Sequence, residues 1–200
     1  MTEDAARAAR RWHEDGLTEL VAGCASGLAG AIVLVAASTS SGLDLATALV
    51  IGLVAALVVG WAGNRLAGMA RRRYVYPRVD NVAPRPRFPE SRGSALATSG
   101  VMAFLVIAMF VAPPAPTSLP WTPALQGLLL GVFLRYLGRT LKVTRFSALA
   151  LFSAVVGGAG SLSGVGQTVG NGAYFGLVGL ALALSGLLTL RRYFASTHLP

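Results

Sequence analysis

The chain is short of charge, cysteine, histidine and lysine, and each shortage removes a class of protein. Charged residues make up 12 % of its 200 positions, about half the share of an average soluble domain. An ordinary soluble enzyme is therefore excluded. The single cysteine, Cys24, excludes an internal disulfide. The two histidines, His13 and His198, stand near opposite ends, so spacing offers no Cys/His metal cluster. Lys142 is the one lysine, and the phosphate-cradling Gly-Lys-Ser motif is absent. Carboxylates are not paired within any one apolar stretch, and His13 with Asp15 has no Ser or Cys at recognisable spacing. The chain reads as a non-enzyme with no cofactor of its own.

Apolar residues are what it has in abundance: 54 % of the chain, for a mean hydropathy of +0.62. They lie in long uncharged blocks, which excludes disorder and points to membrane spans. Backbone polar groups must be paired in lipid, so spans are helices or closed barrels. A barrel would alternate apolar and polar residues, whereas these runs are continuous. Six helical spans are expected, at about 17–37, 45–61, 96–112, 123–138, 147–165 and 173–190. The fourth is the weakest, because Arg135 lies in its last turn.

Charge placement orients them. The 17 basic residues fall before the first span, between Arg65 and Arg92, between Arg135 and Arg145, and at Arg191–Arg192. The three intervening loops, 38–44, 113–122 and 166–172, contain no Lys or Arg. The positive-inside rule puts both termini and the basic loops in the cytoplasm. The expected fold is all-α: a polytopic bundle of six transmembrane helices in three hairpins. A short cytoplasmic helix (1–16) precedes the first hairpin (17–64). A basic, proline-rich cytoplasmic loop (65–94), helices three to six (95–190) and a cytoplasmic tail (191–200) follow. Arginine in place of lysine, with abundant Ala, Gly and Val, is the composition of a GC-rich bacterial genome, so the expected location is the bacterial inner membrane. Val21-Ala22-Gly23-Cys24 has the form of a lipoprotein box, but the charged stretch before it is unlike a signal region. Cys24 reads as a small residue of the first helix.

Arg73-Tyr74-Val75-Tyr76-Pro77-Arg78 resembles a juxtamembrane element of small, uncharacterised bacterial multi-pass membrane proteins. Asp15-Gly16-Leu17-Thr18-Glu19-Leu20 is similar to the entry of their first helix, and the stretch from Gly186 to Phe194 to their basic, aromatic ending. The chain departs from the pattern at Asp80-Asn81, where Gly-Tyr is expected. The resemblance covers about thirty positions; it implies a multi-pass topology and no activity.

Two groups of residues are candidate sites. Arg71, Arg72 and Arg73, with Tyr76 and Arg78, follow a span directly and suit an anionic lipid headgroup or a partner, or else simply set topology. Nucleic acid is excluded as a partner, because about thirty residues make no fold that presents itself to bases. The second group is glycine-rich: Gly157, Gly160 and Gly164 in the fifth span and its exit, and Gly172 and Gly176 in the sixth. Small residues at such spacing allow helices to pack closely. They also suit a broken helix whose hydroxyls and backbone line a solute path with Ser161, Ser163, Gln167, Thr168 and Asn171. A third reading is a smooth groove for a bound lipid, an apolar pigment or a partner helix. The absence of ionisable residues from the middle of the spans disfavours a proton-coupled carrier. The expected function is an accessory or structural subunit that contacts other membrane-protein subunits and anionic phospholipid. The alternative is a small-solute transporter or channel built as a homodimer.

Overall fold

The computed structural model describes residues 15–38, 45–70, 73 and 121–196. Its five long helices are α1 (Leu17–Ser38), α2 (Leu45–Ala70), α3 (Thr122–Leu141), α4 (Thr144–Leu162) and α5 (Gln167–Ser196). Among the described residues there is no strand. Segments within α1, α2, α4 and α5 are long and apolar enough to cross a bilayer. This all-α arrangement is compatible with a multi-pass membrane protein.

The first and last of these helices form the spine. Lipid tails are as apolar as leucine, so helices in a bilayer associate through close packing and hydrogen bonds rather than a hydrophobic drive. Glycine supplies the close packing here. A Cβ on Gly23 would stand 2.6 Å from the Gly179 carbonyl oxygen, and one on Gly30 would stand 2.7 Å from that of Gly172. A Cβ on Gly186 would stand 2.6 Å from the Gly16 carbonyl oxygen. Residue numbers rise along α1 as they fall along α5, so the two helices are antiparallel with their backbones in contact. Ser26 Oγ donates to the Phe175 carbonyl at 3.1 Å across the same seam. Gly16 has φ +71°, which an L side chain rarely adopts, and it faces the Gly186 backbone.

Packing on either side of this spine follows the same rule. α2 lies antiparallel along another face of α1, with Gly63 against the Val21 side chain and Gly52 near Ala29 and Val33. The rest of α2 is a broad exposed apolar face, including Val54, Leu57, Val58 and Trp61. α3 and α4 form an antiparallel pair in which Gly127 and Gly157 meet backbone to backbone. Leu134, Phe146 and Ala150 are buried below that contact. Lys142, at φ 54°, ends α3, and Val143 leads directly into α4. α4 turns into α5 through Ser163–Gly166, where Gly164 and Gly166 have φ of +68° and +82°. Glycine at both positions makes so tight a reversal cheap. Tyr174, Val178 and Leu182 of α5 are buried against Leu130 of α3 and Leu149 and Val156 of α4.

The described helices meet the sequence expectation in part. Among the described residues four candidate spans are found, and α3, a further helix of 20 residues, is not one of them, because Arg135 and Arg139 dilute its apolar surface. The expected span at 96–112 lies outside the described residues, as does the short helix expected at 1–16 apart from its last two residues. α2 continues nine residues past Trp61 to Ala70, so the first part of the basic segment is helical. Its Ala, Leu and Met residues favour helix, and no proline interrupts it before Pro77.

The spine makes a directional prediction. Gly179→Ala should destabilise the detergent-solubilised protein by about 1–3 kcal/mol through overpacking. Gly60→Ala, where an added Cβ meets nothing within 4 Å, should not. Thermal unfolding of the two variants side by side checks this, and equal midpoints would contradict the backbone contact.

Candidate functional site

Polar side chains gather at the two opposite ends of the bundle. At the end carrying the basic residues, Glu19 sits in the first turn of α1 with only 4 % of its side chain exposed. Its Oε1 lies 2.7 Å from Arg145 Nη2 of α4, as a charge contact rather than an aligned hydrogen bond. Its Oε2 accepts a hydrogen bond from Ser185 Oγ of α5 at 2.9 Å. Arg145 Nη1 also donates to Thr189 Oγ1 at 2.7 Å, and Thr189 in turn donates to the Ser185 carbonyl. Three helices are thus tied by one carboxylate and one guanidinium. The adjacent Asp15, itself buried, accepts the Leu17 N–H at 3.1 Å and so caps the start of α1. Chemically this cluster is a latch: an enclosed carboxylate against a partly exposed guanidinium, each also bonded to a hydroxyl of α5.

At the other end a neutral cluster joins α3, α4 and α5. Thr122 Oγ1 donates to Asn171 Oδ1 at 3.3 Å. Ser153 is fully buried; its Oγ lies 2.9 Å from Tyr174 OH and 3.2 Å from the Gly127 carbonyl. Tyr174 OH also reaches the Gln126 carbonyl at 3.2 Å. Ser161 Oγ of α4 accepts the Ala124 N–H at 2.9 Å, so a neighbouring helix caps α3 where Trp121 supplies no side-chain cap. Interhelical hydrogen bonds in bilayers contribute about 0.6 kcal/mol on average, so the cluster stabilises chiefly through their number.

The residues singled out from sequence are distributed as follows. Gly157 presses on Pro123 and Gly127, and Gly160 faces the Pro123 ring. Gly172 lies against Leu34 of α1, and the Gly176 backbone is what a Cβ on Gly30 would strike. Gly164 is a turn residue with open space around its Cβ position. α4 runs unbroken to Leu162, so a broken helix within it is replaced by the turn that follows. Of the residues expected to line a solute path, Ser161 of α4 and Asn171 of α5 are buried against α3, Ser163 is exposed and bonds the Gly160 carbonyl of its own helix, and Gln167 and Thr168 are half-buried in the first turn of α5. Arg73 is exposed; Arg71, Arg72, Tyr76 and Arg78 lie outside the described residues. Among the described residues, no group of three His, Cys, Asp or Glu side chains is placed to hold a metal.

Sequence reasoning missed the pairing of Glu19 with Arg145. A signal was present: Glu19 is the one acidic residue inside any of the six expected spans, and an acid there calls for a cation. Comparison of the chain with family models, curated proteins and solved structures finds no match.

Removing one partner of the latch leaves the other charge enclosed. Arg145→Met should cost about 3 kcal/mol, at the low end for a buried pair because the arginine is partly exposed. Glu19→Leu combined with Arg145→Met should cost clearly less than the two single losses added together. Unfolding midpoints around this double-mutant cycle check the coupling; strict additivity would show that the two side chains act separately.

Proposed function

We propose that the protein is a non-catalytic, multi-pass integral membrane protein that serves as an accessory or structural subunit of a larger membrane complex. The observation carrying this reading is how its buried polar side chains are used. Glu19, Ser153, Ser161, Asn171 and Tyr174 each bond to a neighbouring helix. Such side chains hold a bundle in one arrangement and leave its outer faces for contact with lipid and partner subunits.

The full topology in this proposal has six spans in three hairpins, with both termini in the cytoplasm of a bacterium. It is supported by the directions of the described helices. The antiparallel pairings bring together the start of α1, the end of α2, the α3–α4 turn and the end of α5. Arg65, Arg73, Arg135, Arg139, Lys142, Arg145, Arg191 and Arg192 all lie toward that one end. A one-sided ring of cations suits the anionic cytoplasmic leaflet. Arg65 also stacks over Trp61 at 4.6 Å, as an aromatic–cation pair at a headgroup boundary does. The alternative, a small-solute transporter or channel, draws on one feature of the outer cluster, the enclosed Gln126 amide.

Two experiments test these readings. In a Cys24→Ala background, a membrane-impermeant maleimide added to intact cells should label Ser163→Cys and leave Ala195→Cys unlabelled; the reverse would invert the topology. For the role, the protein carrying a C-terminal tag is extracted from native membranes in mild detergent, sized, and its companions identified. Migration in a large particle at fixed stoichiometry is expected. A lone monomer or homodimer would overturn the subunit role and bring transport forward.

A further inference from the structure

Gln126 departs from the pattern of its neighbours. It is 7 % exposed and lies one helical turn from the outer end of α3. Thr122, Gln126 and Leu130 follow each other at four-residue spacing and share a helix face. Thr122 bonds Asn171 of α5, and Leu130 packs against the Tyr174–Val178–Leu182 cluster of the same helix. The Gln126 side chain therefore stands on the face turned to α5. Its backbone carbonyl accepts from Tyr174. Its Nε2 and Oε1 are both enclosed, and neither is hydrogen-bonded by a protein group.

A carboxamide offers two donors and an acceptor on one flat group. Enclosing all of them without partners in the hydrocarbon zone is costly, and a leucine at this position would avoid the cost. The polar side chains hydrogen-bonded at this end of the bundle, Thr122, Ser153, Ser161, Asn171 and Tyr174, are all neutral, which favours an uncharged occupant. A partner that satisfies the amide must itself be small, uncharged and able both to donate and to accept. Gln126 lies four residues, about 6 Å, from Thr122 at the start of α3.

We propose that Gln126 is the recognition group of a site, between α3 and α5, for one small neutral molecule carrying a hydrogen-bond donor and an acceptor. Water and a compact amide such as urea share this chemistry. The site rests on the membrane placement of the bundle and not on the subunit role, so a failed partner search leaves it standing.

The test uses the full chain in liposomes with isotope-labelled glutamine side chains. The sequence has two glutamines, Gln126 and Gln167, and Gln167→Glu leaves a single amide signal. Solid-state magnetisation transfer to Gln126 Nε2 is measured from water, and then from labelled urea at a sub-denaturing concentration. Transfer from water alone identifies bound water as the occupant. A direct urea-to-Nε2 contact that displaces the water signal identifies a solute site. No transfer from either probe means a dry amide and overturns the proposal. Stability gives an independent readout. If the site is filled, Gln126→Leu should lower the unfolding midpoint; a raised midpoint, as when an unsatisfied amide is removed, would also overturn it.

Discussion

Backbone-to-backbone contact between α1 and α5 sets the geometry of everything else. Where Gly23 meets Gly179 and Gly30 meets Gly172, the helices approach more closely than any side chain allows. That approach fixes their register to within a residue. It places Glu19 beside Ser185 and within reach of Arg145, and it turns the Tyr174 face of α5 toward α3 and α4. In water such a seam would sacrifice apolar burial. In lipid it sacrifices none, because the competing solvent is itself apolar and what counts is the number of atoms in contact and the dipoles brought together.

The two polar clusters then do different work from similar parts. The one at the basic end concentrates formal charge, and an Arg–Glu contact joins α1 to α4 while hydroxyls of α5 bond both side chains. The outer one is uncharged and distributes its bonds among a hydroxyl, a phenol, an amide and backbone carbonyls. Helix pairing by glycine gives register along one line of contact; these clusters fix the rotation of α4 and α3 around it. A bundle tied in this manner is held together at both ends.

How much of this could be read in advance depends on the range of the interaction. Continuous apolar runs reveal a helix by composition alone, so α1, α3 and α4 were legible to within three residues, while α5 extends six residues beyond each end of its expected span. Charge placement in the loops is equally local, and the grouping of the cations at one end of the bundle accords with it. The partners of the glycines were not legible: Gly23, Gly164 and Gly172 look alike in sequence, yet the first and last lie in a helix seam and Gly164 in a tight turn. Arg145 read as one more loop charge because its carboxylate lies 126 positions away at Glu19. Gln126 gave no signal at all, since a lone amide in an apolar run says nothing about what encloses it. The helix of α2 runs nine residues past the end of its expected span at Trp61, because a helix does not stop where a membrane does.

The spine also has a consequence in time. Its two strips of glycine are separated by about 150 residues of chain, and at about 5–20 residues per second a ribosome needs roughly 8–30 s to make them. Throughout that interval α1 is already delivered to the bilayer with the face meant for α5 uncovered. α2, which packs on a different side of α1, can shield one flank as soon as it emerges, but it leaves the glycine strip open. The newborn hairpin is thus a half-built interface exposed to every other small-residue helix being inserted nearby. Its correct closure is a race between synthesis of the last helix and encounters with strangers.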